Sequence, residues 1–305
     1  MRVFVTGATG FIGSAIIPEL IKAGHQVLGL TRSDAGAQSL IAAGAEVHRG
    51  SLEDPESLRS GAAQSHGVIH CAYDHSAFGN DFSKFLEVGE KDRRAIEALG
   101  DALTGSDRPL LITSGTGLGT AVPGQPATED YFDPNHPNPR RLSEVAGAAV
   151  SERGVNVSVV RLPQVHDTVK QGLLTYAVQL AREKGTSAYI GDGLNRWPAA
   201  HVLDVAHLYK LALEKREPGS RYNAVAEEGI SMREIAEVIG RGLKVPVISL
   251  SQKEAQAHFG WLAMFAGFDM PASSAQTRQR LGWHPTGPGL IADLEQMSWS
   301  EAVTH

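Results

Sequence analysis

Residues 3–13 read Val3-Phe4-Val5-Thr6-Gly7-Ala8-Thr9-Gly10-Phe11-Ile12-Gly13, and this stretch decides the fold. Val3 to Val5 is a short apolar run of the kind that forms a buried parallel strand. Glycines follow at 7, 10 and 13, and then a helix-period segment with Ile12, Ala15, Ile16 and Leu20 on one face. Strand, glycine turn and helix in this order bring backbone N–H groups and a helix N-terminus against a pyrophosphate. Gly7 permits the tight turn, Gly10 lets the backbone approach the phosphates, and Gly13 lets the helix pack closely on the strand. Thr9, Phe11 and Ile12 are expected beside the same phosphates. Pro18 lies inside the expected helix and should kink it.

Outward from this stretch, strand-like and helix-like segments alternate to residue 165. Strands are expected at 2–6, 26–31, 45–49, 67–71, 109–114 and 155–161. Helices are expected at 11–23, 34–43, 55–62, 82–104 and 140–153. Such alternation implies an α/β fold, a parallel sheet covered by helices on both faces. Residues 119–139 interrupt the pattern with Pro123, Pro126, Pro134, Pro137 and Pro139. They form a long loop near the expected cleft, without helix or central strand. Beyond 165, helices are expected at 171–184, 203–215 and 231–242, and strands at 221–226 and 245–250. The stretch Phe259 to Phe268 is the most apolar of the C-terminal region. It suits a substrate cover, a subunit contact or ordinary core.

The bulk numbers narrow the class of function. The chain has 305 residues, 42% of them hydrophobic and 20% charged, which is ordinary for a globular protein. A net charge of −6 without a basic stripe argues against nucleic acid as a partner. The single cysteine, Cys71, cannot form an internal disulfide, which fits a reducing compartment. A strand starting at Arg2 leaves no room for a signal peptide, and no apolar run approaches a membrane span. The expectation is a cytoplasmic monomer or homodimer acting on a small molecule, with no membrane partner. No histidine or cysteine spacing suggests a metal site.

The glycine spacing, Gly-x-x-Gly-x-x-Gly, resembles that of the extended and atypical branches of the short-chain dehydrogenase/reductase superfamily, the epimerase/dehydratase-like members among them. Five further segments carry the resemblance. Ser51-Leu52-Glu53-Asp54-Pro55 looks like the loop after the third strand. Val68-Ile69-His70-Cys71-Ala72 and Leu110-Leu111-Ile112-Thr113-Ser114-Gly115 look like the fourth and fifth strands. Val159-Val160-Arg161-Leu162-Pro163 looks like the sixth, and Leu281-Gly282-Trp283-His284-Pro285 like a near-C-terminal signature. The likeness implies a Rossmann-type doubly wound sheet over residues 1–165, with residues about 196–220 returning to it. A smaller substrate lobe is implied over 166–305. It also implies a nicotinamide cofactor, with Leu52, Ala72, Tyr73 and Pro163 among the residues that line it.

The end of the second strand decides which cofactor. An acid there would accept hydrogen bonds from both ribose hydroxyls and favour NAD. Thr31 stands there instead, followed by Arg32 and Ser33, a guanidinium and a hydroxyl suited to a 2′-phosphate. NADP is therefore the expected cofactor. Asp34 comes slightly late for the acid's role but is close enough to rotate in.

Relatives that reduce ketones carry a Tyr and a Lys four residues apart on the helix after the fifth strand. No Tyr-x-x-x-Lys occurs in this chain. Aligning on Ser143-Glu144 puts Asn138 at the Tyr position and Leu142 at the Lys position. Ser114 matches the family's catalytic hydroxyl, suited to orienting a substrate or stabilising an oxyanion. His166 and His201 are the candidates for the missing acid, because a histidine titrates near neutrality. Asp204 reads as a helix-start residue, and Arg140-Arg141 as a solvated helix start. The expected function is NADPH-dependent reduction of a small carbonyl compound by a non-standard proton donor. The alternatives are an inactive NADP(H) sensor and a sugar-type epimerase or dehydratase.

Overall fold

Val3, Phe4, Val5, Val68, Ile69, Leu110, Leu111 and Ile112 have essentially no solvent exposure, as near-continuous apolar strands require when both sheet faces are covered. The computed structural model describes residues 1–75 and 82–299. Seven strands form one sheet: β1 (Arg2–Thr6), β2 (Gln26–Thr31), β3 (Glu46–Arg49), β4 (Gly67–His70), β5 (Pro109–Gly115), β6 (Asn156–Leu162) and β10 (Arg221–Asn223). Their order is β10-β6-β5-β4-β1-β2-β3, and every neighbouring pair is parallel. The chain runs outward from β1 to β3, then returns to place β4 on the other side of β1. Strand order reverses at β1/β4, and in open sheets of this kind ligands bind at the carboxyl ends of the strands there.

The helices of this part are α1 (Phe11–Lys22), α2 (Asp34–Ala42), α3 (Pro55–Ala63), α4 (Phe85–Asp101) and α5 (Arg141–Glu152). Alternate strand residues feed two cores. Val3, Val5, Ile69 and Leu111 pack with Ile16, Ile17 and Leu20 of α1. Phe4, Val68, Leu110 and Ile112 pack with Leu58, Ile96, Leu99 and Val150 of α3, α4 and α5. α1 runs unbroken through Pro18. Pro18 lies on the exposed side of the helix, where water can hydrogen-bond the carbonyl that Pro leaves free.

The remainder builds two small sheets. β7 (Gln164–His166), β9 (Arg196–His201) and β11 (Glu227–Ser231) form one, and β8 (Ser187–Ile190) pairs with β12 (Val247–Leu250) in the other. Around them lie α6 (Leu174–Lys184), α7 (Val202–Lys215), α8 (Met232–Leu243), α9 (Gln252–Phe259), α10 (Ala263–Ala266), α11 (Ala275–Leu281) and α12 (Leu290–Gln296). Val205, Leu208 and Tyr209 of α7 share the core of α1, while β10 lies at the edge of the main sheet. The expected strand 221–226 ends at Asn223, because the Val225 N–H donates to the Asn223 carbonyl and turns the chain away. In the stretch 259–268, Phe259, Leu262 and Ala266 fill core, while Met264 and Phe268 are exposed. No helix among the described residues is long and apolar enough to cross a membrane.

Candidate cofactor and active site

The turn from β1 into α1 is shaped for close backbone approach. Gly7 has φ +67°, and a Cβ there would lie 2.6 Å from the Ala72 backbone nitrogen. A Cβ on Gly13 would lie 2.1 Å from the Gly7 carbonyl oxygen. Gly10 is the N-cap of α1 and offers no side-chain acceptor, and the first turn holds no acid. The first N–H groups of α1 and the positive end of its dipole are left for an outside anion. Thr9 and Gly10 are exposed, while Phe11 and Ile12 are half-buried against the core. The cradle therefore fits a dinucleotide pyrophosphate. Leu52 packs against the Phe4 core, Ala72 closes on Gly7, and Pro163 joins β6 to β7.

The carboxyl ends of β2 and β3 bring a second cation into play. Thr31 and Arg49 are register partners across the two strands. Arg49 donates to Asp34 at 2.5 Å and to the Arg32 carbonyl at 3.4 Å. Asp34 is thus paired with Arg49 at the solvent-exposed rim. Ser33 caps α2 by accepting from the Gly36 N–H at 3.0 Å, so its oxygen already has a structural task. Arg49 was not among the residues expected from sequence. Its signal was position alone, the last residue of the strand beside β2.

Ser114 lies on β5 opposite Arg161 of β6. It is buried, and its hydroxyl donates to Glu144 at 2.8 Å. Glu144 also accepts from Arg161 at 2.7 and 2.9 Å and from Arg221 at 2.8 Å. Burial acts to raise the Glu144 carboxyl, but the two guanidiniums and the Ser114 hydroxyl hold it below the ordinary carboxylate range. The proton of Ser114 is therefore committed to a buried ion cluster.

The residues of α5 that turn toward β5 are Arg140, at its N-cap, and Glu144, not Asn138 and Leu142. Arg140 is not a solvated helix start. It donates to the Thr113 carbonyl at 2.8 Å, to Asp92 at 2.9 Å and to Ser143 at 2.6 Å. Its guanidinium covers the Tyr73 ring, 3.9 Å from the centroid. Asp92 is fully buried on α4 and also bonds His70 at 3.0 Å, and His70 meets Thr6 at 2.7 Å. Burial works to raise Asp92, and Arg140, His70 and Ser143 bring it below its ordinary value.

His166 and His201 are register partners on β7 and β9, with ring centroids 5.9 Å apart. His166 is fully buried, its Nδ1 2.7 Å from Asp293 and its Nε2 without a partner among the described residues. Burial pushes His166 down from its ordinary value against the pull of Asp293, so the neutral ring dominates at neutral pH. His201 caps α7 by accepting from the Leu203 N–H at 3.3 Å. The two histidines belong to the Asp293 cluster and Ser114 to the Glu144 cluster. Asp204 stands in the first turn of α7, as expected of a helix-start residue, with His201 as the cap. It accepts from the N–H groups of Thr286 and Gly287, while its carbonyl accepts from Trp283 Nε1. Residues 119–139 are tied down, with Arg161 bonded to the Thr128 and Tyr131 carbonyls and Glu129 to Thr277.

Comparison with known proteins follows the same lines. The model of the NAD dependent epimerase/dehydratase family matches residues 3–225. The chain is 48% identical over 295 residues to Uncharacterized protein C2A9.02 of Schizosaccharomyces pombe, covering 96% of this chain and 98% of the relative. It is 26% identical to a UDP-glucose 4-epimerase of Streptomyces lividans (98% and 95% covered). It is 25% identical to a 4-hydroxy-2-methyl-3-oxo-4-farnesyl-3,4-dihydroquinoline-1-oxide ketoreductase of Stigmatella aurantiaca (89% and 84% covered). Among solved structures, a human epimerase family protein with NADPH superposes with a TM-score of 0.73 at 22% identity, covering 97% of this chain and 99% of that one.

Proposed function

The chain belongs to the NAD dependent epimerase/dehydratase family, and from that premise we propose an NADPH-dependent oxidoreductase that reduces the carbonyl group of a small organic molecule. The observation that carries the cofactor choice is the pair of guanidiniums at the ends of β2 and β3, with the nearby acid, Asp34, paired to Arg49. A 2′-phosphate suits such a place, and two free ribose hydroxyls do not.

A reduced nicotinamide, when bound, supplies a hydride to the carbonyl carbon. The chain's own residues bind and orient. Gly7, Thr9, Gly10, Phe11 and Ile12 hold the pyrophosphate at the open end of α1. Arg32, with Ser33 and Arg49, holds the 2′-phosphate. Leu52 would meet the adenine, Ala72 and the ring of Tyr73, not its hydroxyl, would line the nicotinamide ribose, and Pro163 would mark the passage to the substrate lobe. In this reading residues 1–165 with about 196–220 make the cofactor-binding part, and the rest of 166–305 encloses the substrate. The setting is a reducing one, the cytoplasm, for a monomer or homodimer.

A second reading is favoured by the epimerase relative: the cofactor is used and restored within one turnover, with no net change. Loss of NADPH absorbance over a panel of ketones separates the two. Steady consumption that depends on the ketone supports the reductase. Tight binding with no consumption leaves epimerisation or sensing.

A further inference from the structure

The mechanism above lacks a proton donor: Ser114 is tied to Glu144, His201 caps α7, and His166 is tied through Nδ1 to Asp293, only its Nε2 being unpartnered. Tyr73 is another candidate. It follows Ala72, whose backbone closes on Gly7, so it stands at the carboxyl edge of β4, beside the strand-order reversal. Its ring packs on Phe85 and Val88 of α4. Its hydroxyl is buried and finds no acceptor among the described residues, the Arg140 guanidinium beside it being able only to donate. Leaving such a group unpaired costs on the order of 1–3 kcal/mol, and a native structure that retains one calls for an account. The second observation is independent: Arg140 sits over the Tyr73 ring while anchored to β5 through the Thr113 carbonyl and to α4 through Asp92.

We propose that Tyr73 is the proton donor to the substrate oxygen and that Arg140 is its positioning cation, a Tyr–Arg pair assembled from two separate elements. The proposal rests on the reductase reading. As the carbonyl carbon gains a hydride from NADPH, the π pair moves onto oxygen. The Tyr73 Oη–H bond breaks and its proton forms the O–H of the alcohol. The phenolate left behind faces the Arg140 guanidinium and regains a proton from solvent. The orphan hydroxyl finds its missing acceptor in the substrate oxygen.

The charged and titratable groups around Tyr73 are Arg140, Asp92, Asp74 and His75. Burial pushes the phenol up to about 12, with Arg140 opposing. A Tyr73 donor therefore keeps its proton through the neutral and mildly alkaline range. A His166 donor, already below its ordinary value, would lose activity as pH rises past about 6.5.

The test is Tyr73→Phe, which keeps the ring under Arg140 and removes only the hydroxyl. Turnover of the best ketone in the panel should fall at least a hundredfold, with NADPH affinity by fluorescence titration changed less than threefold. Wild-type turnover should stay level from pH 6 to 9. Ring-¹³C-labelled tyrosine adds a readout besides activity: the Tyr73 Cζ signal, identified by its absence in Tyr73→Phe, should move when that ketone is added with NADP⁺. Wild-type turnover retained in Tyr73→Phe, or a wild-type loss of turnover as pH rises with its midpoint below 6.5, overturns the proposal and leaves the reductase reading standing. A wild-type protein that binds NADPH and reduces no ketone overturns both.

Discussion

Gly10 and Gly13 stand three residues apart, and a Cβ on either would meet the Gly7 carbonyl oxygen, at very different distances. At Gly10, φ is −79° and the nearest atom to an added Cβ is 3.1 Å away. At Gly13 the Gly7 carbonyl would be 2.1 Å away, and it belongs to backbone that cannot swing aside. Gly10→Val is expected to fold and to lose NADPH binding, because a branched side chain then stands where phosphate oxygens approach. Gly13→Val is expected to damage the fold itself, costing several kcal/mol by overpacking. Thermal melts beside NADPH calorimetry separate the two. Unchanged NADPH affinity in Gly10→Val would mean the dinucleotide lies elsewhere. At the same scale, Arg32→Ala should weaken NADPH by roughly tenfold to a hundredfold and NADH by little, since one charge-assisted contact to phosphate is lost. Equal losses for both cofactors in a paired titration would show that neither guanidinium reads the 2′-phosphate.

At the scale of elements, α5 is where sequence and structure part most instructively. The segment was recognisable as a helix, but its register was not. Aligning on Ser143-Glu144 put Asn138 and Leu142 where relatives carry Tyr and Lys, and read Arg140 as solvated, because pattern alone cannot tell which polar side chains turn inward when both faces carry them. The structure turns in Arg140, Ser143 and Glu144, and pairs each with a partner distant in sequence: Asp92, Ser114, Arg161 or Arg221. Glu144 and Arg161 are both wholly buried. Glu144→Gln would leave Arg161 with an uncompensated buried charge, which typically costs about 3–5 kcal/mol. The Glu144 carboxyl titrates lower folded than its ordinary value of 4.5, so its contribution is present above that pH and lost as pH falls through the folded value. Urea unfolding at pH 7 should show the full loss in Glu144→Gln, with a smaller gap from wild type in strong acid. A gap of the same size at both pH values would refute this account of the cluster.

Over the whole molecule, most of the first 165 residues could be read from the sequence, because the inner strands β1, β4, β5 and β6 are buried on both faces and the helices between them repeat at helical period. The second part was harder. β7, β8, β9 and β11 span 3–6 residues, and α10, α11 and α12 span 4–7, too short for a period to emerge. Their stability comes from packing across elements, as where Trp197 of β9 joins Ile235 of α8 and Leu290 of α12. The glycine cradle was legible, since backbone geometry demands glycine. Arg49, Arg140 and the Glu144 cluster were not, since they depend on pairs far apart in the chain. What unites the two parts in this account is a hydride passed from NADPH, held along β1–β4, to a carbonyl compound enclosed by the second lobe. The most direct measurement uses NADPH deuterated at the transferring carbon, incubated with the protein and the ketone panel. The account predicts one NADPH consumed per alcohol formed, with deuterium on the carbinol carbon. NADPH left intact, or a product isomerised without deuterium, would contradict it.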